Sequence, residues 1–168
     1  MTTAIYPGSF DPLTNGHLDI VERCVRLFDR VVIAILTNSQ KTPLFSADER
    51  KAIVREVLTP QFPRVEIEIE VFHGLLVDYA QRKNAQVIVR GIRAVTDYEY
   101  ELQMALMNRR LRPDIETVFM MANEAYSFIS SRLVKEVFGL GGSITGLVPP
   151  SVEARMQRRL SKTKLKGA

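Results

Sequence analysis

Short runs of β-branched residues alternate with longer amphipathic stretches along the whole of this sequence, and that alternation leaves few folds open. Val31-Val32-Ile33-Ala34-Ile35-Leu36 is apolar at every position, as a strand buried on both faces must be. A parallel strand pair needs a crossover between its members, and the amphipathic stretches supply one after each run. Ala4-Ile5-Tyr6 reads as a first strand stopped by Pro7-Gly8, and His17 to Phe28 as a helix with Leu18, Val21, Val25 and Phe28 at helical spacing. Ser46-Ala47-Asp48-Glu49 is a capping box, predicting a helix to about Leu58, where Thr59-Pro60 ends it. Val65 to Phe72 alternates apolar residues with three glutamates, a half-exposed strand. A helix over 75–83, a strand at Val87-Ile88-Val89, a helix from Asp97, a strand at 117–121 and a helix over 129–138 follow. Gly139, Gly141 and Gly142 stop that helix, and Ser151 caps a last short one after Pro149-Pro150. The expectation is an α/β fold, a single Rossmann-like doubly wound domain with a five-stranded parallel sheet over residues 1–160, then a flexible basic tail over 161–168.

Composition narrows the functional classes. Of 168 residues, 46% are hydrophobic and 25% charged, the balance of a soluble globular chain. Cys24 is the single cysteine, so no internal disulfide can form; it shares an apolar helix face with Val21 and Val25, which makes it a core residue. No signal-like or membrane-spanning segment is evident, and the expected location is the cytoplasm. The net charge is +4, part of it in Arg155, Arg158, Arg159, Lys162, Lys164 and Lys166. We read that cluster as a solvated helix end, not a nucleic-acid contact.

Open α/β sheets bind ligands beyond the carboxyl ends of their strands, where the strand order reverses. After the first strand comes Gly8-Ser9-Phe10-Asp11-Pro12-Leu13-Thr14-Asn15-Gly16-His17, with two glycines that let backbone approach a ligand and a hydroxyl at Ser9. His17 sits at a helix start, where amide donors and the helix dipole favour an anion. The loop after the second strand carries Lys41; the fourth strand is followed by Arg90-Gly91-Ile92-Arg93, and the fifth by Tyr126-Ser127-Phe128-Ile129-Ser130-Ser131-Arg132. All are cationic or hydrogen-bond-donating groups on one rim of the sheet, which spells a polyphosphate site. No G-x-x-x-x-G-K-[ST] loop, G-x-G-x-x-G fingerprint, zinc spacing or G-x-S-x-G elbow is present, and His73 reads as ordinary surface.

Gly8 to Pro12 followed by Thr14-Asn15-Gly16-His17 resembles the T/H-x-G-H signature of the nucleotidylyltransferase superfamily, and Ile129-Ser130-Ser131 resembles its second, serine-rich signature. Arg90-Gly91-Ile92-Arg93-Ala94, Asp97 to Glu101, and Tyr126 to Ser131 with Leu133-Val134-Lys135-Glu136 narrow the likeness to the bacterial phosphopantetheine adenylyltransferases, from about Ala4 to Pro150. Ser9 stands where threonine is common in that family, and Arg132 where a smaller residue is frequent.

That resemblance implies direct in-line attack of the phosphate of 4′-phosphopantetheine on the α-phosphorus of ATP, giving dephospho-coenzyme A and pyrophosphate. It implies His17 as the transition-state stabiliser. Ser9, Lys41, Leu76 and Arg90 would hold the acceptor. Ser9, Phe10 (through its backbone), His17, Gly91, Ile92, Arg93, Glu101 and the Tyr126, Ser127, Phe128, Ile129, Ser130, Ser131, Arg132 segment would hold ATP. Mg²⁺ would come with the ATP, with no protein side chain as its ligand. Coenzyme A is a candidate feedback inhibitor, the assembly a homohexamer. Two alternatives stand beside this: transfer to another acceptor, such as nicotinate mononucleotide or a sugar or polyol phosphate, and a non-catalytic nucleotide sensor on the same fold.

Overall fold

The computed structural model describes residues 1–37, 42–63 and 65–166. Five strands, β1 (Thr3–Gly8), β2 (Arg30–Leu36), β3 (Ile67–Phe72), β4 (Val87–Ile92) and β5 (Glu116–Met121), form one sheet in the order β3-β2-β1-β4-β5. Every pairing is parallel, with Ile5 beside Val32 on one side and Ile88 on the other. The chain builds outward from β1 to β3, then crosses back to lay β4 against the free side of β1. The order therefore reverses between β1 and β4, and a crevice opens beyond Gly8 and Arg90.

Side-chain alternation divides the core. Ala4, Tyr6, Val31, Ile33, Ile35 and Val89 face α1 (Asn15–Leu27), α2 (Ala47–Gln61), α5 (Ser131–Gly139) and α6 (Pro150–Lys166). Ile5, Val32, Ala34 and Ile88 face α3 (Leu76–Arg82), with α4 (Val95–Leu111) packed beside it. Cys24 lies in the first of these layers, fully buried, with burial pushing its thiol up to about 12. On the edge strand β3 the glutamates stay outside the core: Glu68 pairs with Arg30 and Lys83, and Glu70 with Lys83.

Several boundaries differ from the sequence reading, each for a physical reason. Thr59-Pro60 does not end α2, which runs to Gln61; a proline in the last turn removes one amide donor without stopping the turn. α4 begins at Val95, two residues before Asp97. Pro150 itself opens α6, where a missing N–H costs nothing, so Ser151 lies inside the helix instead of capping it. That helix is 17 residues long and passes position 160 without a break. Strand β4 extends through Arg90 to Ile92, because Arg90 pairs in register with Phe119 of β5. No helix among the described residues is long and apolar enough to cross a membrane.

Candidate active site

The loop after β1 is held rigid from beneath. Phe10 takes a left-handed φ of 47° and buries its ring edge-on against Tyr6 and His17, at centroid distances of 5.5 and 5.1 Å. A Cβ on Gly8 would come within 3.0 Å of that ring, so glycine is what lets the aromatic tuck under the loop. The Asp11 carboxylate accepts from the amides of Leu44 and Phe45, both at 2.9 Å, and from Lys135 Nζ at 2.8 Å. Arg50 Nη1 donates to the Ser9 carbonyl at 2.7 Å.

His17 is the third residue of α1. Thr14 is the N-cap: its hydroxyl accepts from the His17 amide, and its own amide donates to His17 Nδ1 at 3.0 Å. An amide donor on Nδ1 makes that nitrogen the acceptor, so the neutral ring carries its proton on Nε2. Burial, reinforced by the Arg93 cation, lowers the imidazole to about 4. At neutral pH His17 is an uncharged ring whose free nitrogen is a donor.

Two adjoining chambers lie above the crevice. The first, about 340 Å³, is walled by the β1 loop, His17, the end of β4 and the Tyr126–Arg132 segment. The second, about 540 Å³, lies between the same loop, α3 and α4, and adds Phe72, Leu75 and Leu76. Gly8, Ser9, Arg90, Glu101, Ser131 and Arg132 face both. Arg90 is locked to Glu101 by two parallel bonds of 2.7 and 2.5 Å and donates to the Pro7 carbonyl at 3.2 Å. Burial works against the arginine's charge, but its partner carboxylate wins and its affinity for the proton is raised. Arg93 is fixed by Asp97 at 3.0 Å and by the Ile129 carbonyl at 3.2 Å. Ser130 caps α5, and Ser131 Oγ donates to the Pro12 carbonyl at 2.8 Å, closing the last wall onto the first loop.

A sequence model of the cytidylyltransferase-like family matches residues 5–137, a span holding every residue that lines either chamber. The chain is 54% identical over 159 residues to a phosphopantetheine adenylyltransferase of Anaeromyxobacter dehalogenans, covering 95% of both chains. It is 49% identical to one from Alkaliphilus metalliredigens, covering 95% of this chain and 99% of that one. The protein belongs to the phosphopantetheine adenylyltransferase family. A crystal structure of a Vibrio parahaemolyticus protein assigned as a nicotinate-nucleotide adenylyltransferase shares the fold, with a TM-score of 0.67 over 94% of this chain and 93% of that one, at 14% identity.

Within this phosphopantetheine adenylyltransferase fold, the residues singled out by sequence are gathered unequally. Ser9, His17, Arg90, Gly91, Arg93, Glu101, Tyr126, Ile129, Ser130, Ser131 and Arg132 line the first chamber, and Leu76 lines the second. Phe10 and Ile92 line neither: both side chains are core, Ile92 because strand alternation turns it away from the side of Gly91. Ser127 donates to the Glu124 carbonyl and Phe128 is 62% exposed, both outside the chamber walls. Lys41 lies outside the described residues. His73, read as plain surface, is exposed and sits 2.6 Å from the Thr37 hydroxyl.

Sequence reasoning missed others. Thr14 is the orienting partner of His17, and the Thr14-x-x-His17 spacing of a capping box could have found it. Asn108 is 7% exposed, lines the second chamber and has no side-chain partner among the described residues. Its signal was the α4 spacing Glu101, Met104, Ala105, Asn108, a single helix stripe that turns out to be a chamber wall.

Proposed function

We propose that the protein transfers the adenylyl group of ATP to 4′-phosphopantetheine, releasing pyrophosphate and dephospho-coenzyme A. The observation that carries this is the pair of unlike chambers joined at Ser9, Arg90 and Ser131: one flanked by a helix N-terminus, the other adding an apolar wall of Leu36, Phe72, Leu75, Leu76 and Met104 to its charged rim. ATP fits the first, with His17 Nε2–H directed at the α-phosphate. A pantetheine arm fits the second, against Leu75 and Leu76, with Asn108 free to meet one of its amides. Where the chambers join, Arg90 and Ser9 would place the acceptor phosphate. One of its oxygens forms a bond to the α-phosphorus as the bond to the pyrophosphate oxygen breaks, without an enzyme-bound intermediate. A neutral donor at position 17 suits this chemistry, because it stabilises charge building on the α-phosphate without giving up its proton.

Mg²⁺ enters on the triphosphate in this reading. The carboxylates of Asp97 and Glu101 face the first chamber, but each is engaged by an arginine, so the metal's ligands fall to phosphate and water. Coenzyme A carries both the arm and an adenine nucleotide, so it would span both chambers and compete as a feedback inhibitor. Self-association is supported by α4, where Tyr98, Leu106 and Met107 are 45%, 56% and 53% exposed; the homohexamer expected of the family is the form to look for in sedimentation, and a monomer would refute it. A cytoplasmic setting suits a chain whose one thiol is buried. The deciding experiment incubates the protein with Mg-ATP and 4′-phosphopantetheine and measures pyrophosphate and dephospho-coenzyme A. No product with this acceptor, but turnover with nicotinate mononucleotide, would overturn the choice of acceptor. No turnover with any acceptor would leave only nucleotide sensing.

A further inference from the structure

Four cations and two carboxylates line the second chamber: Arg50, Arg90, Arg132 and Lys135 against Asp11 and Glu101. The carboxylates are already taken, Asp11 by Lys135 at 2.8 Å and Glu101 by Arg90 at 2.5 Å. Two positive charges are left without a paired carboxylate among the described residues. Arg132 is exposed to solvent; Arg50 is not, with only 4% of its surface accessible. A buried cation without a counter-ion is expensive unless its N–H groups and its charge are both met.

The N–H groups are met only in part. Arg50 Nε donates to the carbonyls of Phe45 and Ser46 at 3.1 and 3.4 Å, and Nη1 to those of Ser9 and Leu36 at 2.7 and 3.0 Å. The N–H pair of Nη2 has no acceptor among the described residues. Carbonyl dipoles on four backbone positions hold the guanidinium still, at the point where the loop after β1 meets the end of β2 and the first turn of α2. Burial disfavours the charged form, and the Asp11 carboxylate offsets this only in part. An anion arriving in the chamber would supply what the protein leaves out.

We propose that Arg50 is a further anion-binding residue of the second chamber, its Nη2 N–H pair donating to the phosphate of the acceptor. The same side chain also positions Ser9, through the carbonyl held by Nη1. Charge supports this: of the two unpaired cations, Arg132 lines both chambers, whereas Arg50 faces the second alone, where a phosphate monoester would bring up to two negative charges. Arginine suits the task, since its planar fork can hold the loop with one edge and a phosphate with the other.

This inference rests on the second chamber being the acceptor site, and the test separates the two. Binding of 4′-phosphopantetheine and of pantetheine, which lacks the phosphate, is measured by calorimetry on the full chain and on Arg50→Gln. The expected result is a loss of about 10- to 100-fold for the phosphorylated arm. Pantetheine should bind the variant and the parent equally, any loss for ATP should stay well below that for the phosphorylated arm because the nucleotide meets Arg50 only through the loop at Ser9, and melting temperatures should confirm that both proteins are folded. Equal weakening of both arms would make Arg50 a structural clamp and overturn the proposal, as would unchanged binding of the phosphorylated arm. If Arg50→Gln does not fold, Arg50→Lys serves. Its point charge cannot span loop and phosphate together, so the preference for the phosphorylated arm should shrink, and an unchanged preference overturns the proposal. Failure of both arms to bind the parent protein would instead overturn the assignment of the chamber.

Discussion

The two chambers are built by different means. The first takes its shape from backbone and short side chains at two helix starts, Thr14 to His17 on α1 and Ser130 to Arg132 on α5, with glycine at Gly8 where the Phe10 ring lies close beneath. The second is walled in large part by α3 and α4, and it shares Ser9, Arg90, Glu101, Ser131 and Arg132 with the first; Arg50 and Asn108, which it does not share, are buried and come from helices outside every loop motif of the sequence. A triphosphate is recognised by donors that can be set in short contiguous motifs. A long flexible arm is recognised by area, and area comes from whichever helices happen to pack there.

The contrast can be broken most sharply at His17. His17→Ala should cost about 10²–10³ in turnover, the scale of one lost oxyanion-type donor, while ATP binding survives. Unchanged turnover would remove His17 from the chemistry. The ring is neutral at every pH above about 4 and charges only as pH falls through that value. The acid limb of the rate profile should therefore track the acceptor's phosphate, near pH 6, and remain in place in His17→Gln. A limb that moved with this substitution would mean His17 titrates in the working range.

A smaller loss is expected at the junction. Arg90→Ala removes a donor shared by both chambers and leaves Glu101 buried without its partner, so the efficiency with the acceptor should fall by about 10²-fold. The Michaelis constant for ATP should move much less; equal losses for both substrates would place Arg90 on the nucleotide side. The smallest effect belongs to the second chamber. Asn108→Ala should weaken the pantetheine arm by about tenfold, the worth of one buried hydrogen bond, with ATP unaffected. A stronger-binding variant would mean the amide is solvated in the complex and contacts no ligand.

The same division explains what could be read in advance. Strands β1, β2 and β4 were legible because burial on both faces demands continuous apolar runs, and the loops after them because glycine, serine and cations cluster there. Contiguous motifs mix residues that present side chains with residues that can present only backbone. Gly91 lines the first chamber while its neighbour Ile92 packs in the core, and Phe10 supports from beneath a loop whose Ser9 lines it. Arg50 and Asn108 escaped notice for the opposite reason. One sits in an ordinary capping-box helix and the other in a helix apolar on several sides, and only tertiary packing turns them toward a common space.

The link from Ser131 to Pro12 spans 119 residues of chain, and that from Lys135 to Asp11 spans 124. While the protein is being synthesised, β1 and α1 emerge long before the partners that finish their cavity. Half a sheet can assemble early, but the nucleotide's seat stays roofless until residues 126–135 have docked. Closing so long a loop carries an entropic cost that rises only slowly with its length, so the delay is one of order more than of stability. Competence for chemistry is thereby tied to the arrival of residues 126–135.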